Sequence, residues 1–206
     1  MTVSKLVSTA FSQGSIRYPE EHKEWIRVSY CIGGQLPASR LVDSVQKAGQ
    51  LDLLIKCMEN EFSLDNAEGE ADFSTHYLVF LSELWVGHIY EIFRLLKDRK
   101  CTPNNPDFEN LAHDLRLLRI SIEKHEIAGD KKLKEPLLME RRPAKNDDIT
   151  YEYSKDDPKR SHIMPTEVSP CGSVMWGVTD IAAKKSYWIE RQNIAERIFA
   201  LYPSTE

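Results

Sequence analysis

The sequence predicts a mainly α protein, an antiparallel helical hairpin or small bundle with a minor C-terminal β element. Three observations carry this. Apolar residues recur at steps of three and four over 38–58 and over 73–128; Pro103 and Pro106 cut the second run in two; and residues 172–189 are short aromatic and β-branched runs around Ala182-Ala-Lys-Lys185. All 206 residues are expected to form one domain, a natural size for a chain that buries roughly 70% of its unfolded surface.

Residues 1–35 read as irregular or strand, because Gly14, Pro19, Gly33 and Gly34 punctuate them and Trp25-Ile-Arg-Val-Ser-Tyr-Cys-Ile32 is rich in aromatic and β-branched side chains. A helix follows over 38–58, with Leu41, Val45, Ala48, Leu51, Leu54, Ile55 and Met58 on one face; Gly49 weakens its middle by about 1 kcal/mol relative to alanine. Asn60 to Glu70 is acidic and suits a surface loop.

The strongest signal is the hairpin over 73–128. Asp72 and Ser74 can cap its first helix, whose stripe is Tyr77, Leu81, Leu84, Trp85, Ile89, Ile92 and Leu96. Thr102-Pro-Asn-Asn-Pro106 stops that helix, and Asn105 or Asp107 can start the next, which carries Phe108, Leu111, Leu115, Leu118 and Ile122. So short a connection makes the two helices antiparallel neighbours, and Gly129 stands where a C-terminal cap is expected. Residues 130–170 hold five prolines and read either as a disordered linker or as an ordered strand-and-loop wrap, the second favoured by Tyr151, Tyr153, Ile163 and Met164. A β-hairpin and a closing helix complete the chain over 172–201.

Composition excludes little. The balance of 27 basic and 32 acidic residues gives a net charge of −5, which supplies no global attraction to nucleic acid or an anionic membrane. Met1 to Gly14 lacks the apolar run of a secretory signal, and no stretch approaches the roughly 20 apolar residues of a membrane span, so a cytoplasmic protein without membrane contact is expected. Cys31, Cys57, Cys101 and Cys171 form no CxxC pair and read as reduced thiols rather than zinc ligands.

Nucleotide-binding glycine loops, a GxSxG elbow, HExxH and an EF-hand loop are all missing, and no ExxH pair offers a di-metal bundle site. No cofactor or metal is expected. One candidate constellation is Glu83, His88, Glu91 and Arg94, where a carboxylate beside an imidazole can tune a general base or, more simply, form solvated i,i+3 ion pairs. Another is the mixed-charge run 130–160, with Arg141-Arg142 and Lys159-Arg160 near Tyr151 and Tyr153. Its nine basic and eight acidic residues nearly cancel, which favours a self-paired loop over a nucleic-acid contact.

The last candidate is Leu115-Arg-Leu-Leu-Arg-Ile-Ser-Ile-Glu-Lys-His-Glu126. Arg119, five intervening residues and His125 resemble the Rx4-6H pattern of the HEPN superfamily, helical-bundle proteins that are often dimeric, metal-independent ribonucleases. The resemblance implies that Arg119 holds phosphate oxygens and that His125 moves a proton at the 2′-hydroxyl or the leaving oxygen. From the residues alone, Arg119 can equally pair with Glu123, and His125 continues the apolar series as a core or boundary histidine. Trp85, Trp176 and Trp188 read as core anchors, and Gly87 as a point of close approach. The sequence therefore points first to a non-catalytic intracellular binding or assembly protein with an unidentified protein partner, able to act as a homodimer. The alternative is a HEPN-like ribonuclease acting on RNA.

Overall fold

Where an irregular start or a strand was expected, the chain forms two helices, α1 (Val3–Arg17) and α2 (Pro19–Gly34). The structure is a computed structural model that describes residues 2–65, 74–140 and 150–203. Helix α2 begins with Pro19 in its first turn beside Glu20 and Glu21, residues that suit the positive end of a helix. Trp25, Val28 and Ile32, spaced three and four apart, are all buried. That helical spacing outweighs the β-branched content of the segment, since strand preference mostly measures fit to a half-buried surface.

Helix α3 (Leu41–Asp65) outruns the expected 38–58, so residues 60–65 are helical rather than loop. The acidic composition misleads because Glu59, just before them, is buried in an ion pair and Phe62 packs against the core. The remainder of the expected loop and the cap residue Asp72 lie outside the described residues. Gly49, which propensity alone marks as a weakness, lies under Trp25: a Cβ there would sit 2.5 Å from that ring.

Helices α4 (Ser74–Asp98) and α5 (Pro106–Lys124) form the expected antiparallel hairpin. Asn105 caps α5 by accepting the Asp107 N–H at 3.0 Å, Phe93 stacks on Phe108 with centroids 4.8 Å apart, and Lys97 reaches Glu109. The core takes Trp85, Ile89, Ile92 and Leu96 from α4 and Leu111, Leu115 and Leu118 from α5. Two members of the expected stripe are excluded from it: Tyr77 is 57% and Leu84 51% exposed. The stripe drawn from sequence was wider than the face that α3 and α5 cover. The C-cap of α5 is His125, in the left-handed region at φ 53°, rather than Gly129.

Beyond the hairpin, β1 (Leu137–Glu140) pairs antiparallel with β2 (Thr150–Tyr153). A second sheet has the order β3 (Thr166–Val168), β4 (Val174–Asp180), β5 (Lys185–Glu190), all antiparallel. Strand β4 alternates, turning Val174, Trp176 and Val178 inward. Trp188 on β5, expected in the core, is 42% exposed, because it stands on the opposite face of its strand from the buried Ile189. Helix α6 (Arg191–Leu201) closes the core with Ile194, Ile198 and Leu201. The chain is mainly α, and among the described residues no helix is long and apolar enough to cross a membrane.

A charged cluster sits inside this core. Arg191 at the start of α6 is 1% exposed; its Nε and one terminal nitrogen each donate to Glu59 at 2.6 Å, and its other terminal nitrogen bonds Asp52. Trp25 donates to Asp52 at 2.9 Å, Gln192 donates to Glu59 at 2.9 Å, and the guanidinium lies 5.4 Å from the Trp85 ring centre. Burial alone would lower the Arg191 pKa; Asp52 and Glu59 more than reverse this and hold it charged. Gly172 completes the enclosure with φ 85°, where a Cβ would fall 2.0 Å from the Glu59 carbonyl oxygen.

Candidate functional site

Of the sequence candidates on α4, Glu91 and Arg94 form the expected pair at 2.7 Å, extended by Asp98 at 2.9 Å. His88 does not join them. It turns toward α3, where its Nε2 is 2.9 Å from the Ser44 carbonyl oxygen, so the proposed histidine and carboxylate base is not assembled. Glu83 lies instead toward the end of α5: burial pushes its carboxyl upward, against the opposing pull of His125 and His76. Gly87 makes no tight helix contact, since a Cβ there would meet only Glu123 Oε1 at 3.5 Å.

Arg119 faces α4 rather than Glu123. Its guanidinium is 5.3 Å from the Tyr90 ring centre and 3.8 Å from Glu91, a cation–π contact with a long ion pair beside it. His125 is exposed, not core: it ends α5 and uses its carbonyl to accept the His162 N–H at 2.7 Å. Arg119 and His125 thus have different neighbours, Glu91 with Tyr90 for one and Glu83 for the other, and no contact joins them.

Within the described part of the mixed-charge run, Arg160 and the two tyrosines are engaged in internal contacts, and Lys155 donates to the Leu133 carbonyl oxygen at 2.7 Å. Arg160 holds Asp130 at 2.7 Å and Glu126 at 2.9 Å, and the buried Tyr153 donates to Asp130 at 3.1 Å while accepting the Ile127 N–H. Tyr151 meets His162 Nδ1 at 2.9 Å. These groups are therefore engaged within the fold rather than displayed for bases or phosphates. Arg141, Arg142 and Lys145 lie outside the described residues.

A site that the sequence analysis missed lies between α5, the turn 129–132 and the β4–β5 turn. His113 Nε2 stands 2.8 Å from Asp180 Oδ2, across 67 positions of chain. Asp180 is buried, and its Oδ1 accepts the N–H groups of Ala182 and Ala183 at 2.9 and 3.1 Å. Burial alone would raise its pKa; the bonds from His113 and the two amides outweigh that and lower it. Arg116, Gly129 and Lys132 line the same cleft. Next to it, Asp114 accepts from Tyr187 at 2.7 Å and from Arg197 at 2.6 Å, fastening α5 to β5 and α6.

Two signals for this cleft were present in the sequence. Asp180 opens a tight turn between two predicted strands, a place where aspartate bonds the amides that follow it, and His113 and Arg116 are three apart on one helix. No group of three or more His, Cys, Asp or Glu able to hold a metal occurs among the described residues. No family model, curated protein or solved structure matches the chain. Its chemistry has to be argued from these side chains.

Proposed function

We propose that this chain is a non-catalytic binding protein that docks a protein partner on the outer face of α4. One observation carries the reading: Tyr77, Phe80 and Leu84, at i, i+3 and i+7, stand about half exposed on a single helix face. Large side chains held on a rigid helix make good anchors, because little conformational freedom is lost when they are covered. His76, Glu83, Glu91 and Arg94 supply polar groups near and beyond the stripe, the usual composition of an interface rim. A second copy of the chain is one partner this face can take.

A second reading, a HEPN-like ribonuclease, is favoured by the exposure of His125, which leaves its ring accessible to a ribose or a leaving oxygen. It requires Arg119 to exchange Glu91 for a phosphate and to meet a histidine from its own or a partner protomer.

One set of variants separates the two. Phe80→Asp with Leu84→Asp is expected to abolish partner capture and self-association, scored by quantitative affinity capture and sedimentation, at an unchanged melting temperature. Arg119→Ala and His125→Ala are expected to leave capture intact. RNA cleavage in a chelator by the wild type, lost in both of the latter variants, would replace the binding reading with the ribonuclease.

A further inference from the structure

We propose that the cleft between α5, the turn 129–132 and the β4–β5 turn binds a phosphate group. The inference is independent of the docking face on α4, since it uses different residues and a different part of the molecule.

The charge arrangement is the first argument. Arg17, Arg27, Arg94, Arg160, Arg191 and Arg197 all hold carboxylates. Arg116 and Lys132, both exposed, line the same cleft and have no carboxylate partner among the described residues. In a chain with five more acidic than basic residues, two unmatched cations beside one concavity leave a local field that attracts an anion.

His113 is the second argument. The buried Asp180 fixes its Nε2, so the ring is oriented and its Nδ1, which has no protein partner among the described residues, is left for a ligand. Asp180 adds little repulsion, because three donors already match it: the imidazole and the amides of Ala182 and Ala183. With Nε2–H donated to Asp180, Nδ1 is an acceptor aimed away from that carboxylate, and it can take the hydroxyl hydrogen of a hydrogen phosphate while Arg116 and Lys132 hold the other oxygens. Arginine supplies a planar fork for two oxygens and lysine a mobile point charge.

Size selects within the anions. The cleft is small and open to solvent, with a volume of about 30 Å³, far below the roughly 300–1,000 Å³ typical of small-molecule sites, so it can seat no more than one compact group at its mouth. It suits inorganic phosphate or the terminal group of a small phosphomonoester, not a dinucleotide.

The test is calorimetric titration of the full chain with inorganic phosphate and, separately, glycerol phosphate. Saturable one-to-one binding is expected, weakened about tenfold or more in each of Arg116→Ala and Lys132→Ala, as loss of a charge-assisted hydrogen bond implies. Arg99→Ala, in the turn that follows α4 and outside the cleft lining, is expected to bind as the wild type does. Both cleft cations are exposed, so their truncation leaves the melting temperature unchanged. Tighter binding of the free ion or of the ester identifies the source of the phosphate. Absence of saturable binding with both probes, or wild-type affinity in the Arg116→Ala and Lys132→Ala variants, would overturn the assignment.

Discussion

Asp52 and Glu59 lie 139 and 132 positions from Arg191, yet both end on its guanidinium inside the core. Two carboxylates and one guanidinium carry a net negative charge, which the donors of Trp25 and Gln192 help to stabilise. Removing the cation alone is therefore far worse than removing the whole cluster. Arg191→Met is expected to destabilise the fold by about 3–5 kcal/mol, because it strands two buried anions. Adding Asp52→Asn and Glu59→Gln to that variant is expected to recover much of the loss, as neutral replacements of buried ion pairs often do. Denaturant unfolding of the two variants checks this. A loss for Arg191→Met under about 1 kcal/mol would mean that the carboxylates find other partners or water.

At the scale of elements, Gly49 shows how packing reverses a propensity. Alanine is worth about 1 kcal/mol more than glycine inside a helix, but a methyl group at 49 would press on the Trp25 ring that seals α2 against α3. Gly49→Ala is expected to destabilise by about 1–3 kcal/mol, the usual range for overpacking, and thermal unfolding gives the sign directly. The same contest explains what was legible. The α4–α5 hairpin was plain because its apolar spacing, its Pro-rich break and the Asn105 cap all agree. The β4–β5 hairpin was plain for similar reasons: short apolar runs around a polar turn. Helices α1 and α2 were obscured because Gly14, Pro19, Gly33 and Gly34 punctuate them and the aromatic and β-branched content of 25–32 masks the helical spacing of Trp25, Val28 and Ile32. The end of α3 was obscured because Glu59 looks like solvent-facing charge until Arg191 is placed beside it. Of the candidate site, Arg119 and His125 could be named from sequence, but their separate partners on α4 could not. The His113–Asp180 pair needs α5 and the second sheet to be packed together before it exists.

Over the whole molecule, these buried groups set how stability follows pH. His162 is 3% exposed, and burial lowers its pKa below the ordinary 6.5, so as pH falls the unfolded chain takes up its proton first. Its contribution is present above pH 6.5 and is lost as pH falls through the folded value. Asp130 follows lower on the scale. Burial raises its pKa, but Arg160 and Tyr153 outweigh this and lower it, so its contribution is present above about pH 4 and is lost in stronger acid. Glu83 acts in the opposite sense: burial raises its carboxyl, so its stabilising contribution exists below 4.5 and disappears as pH rises through the folded value. On the alkaline side, burial raises the Tyr187 and Tyr202 hydroxyls above 10, aided at Tyr187 by Asp114, and the unfolded chain loses those protons first. Stability is then lost as pH climbs beyond 10. The expected profile is a plateau at neutral pH with a first decline below pH 6.5. His162 can be isolated from the other groups in that first decline, because no carboxylate with a lowered pKa titrates there. Melting temperatures from pH 7.5 to 5 are therefore expected to fall in the wild type and to fall less in His162→Gln, which cannot accept the proton. Equal slopes in the two proteins would assign the decline to other groups and show that His162 is protonated alike in the folded and unfolded chain.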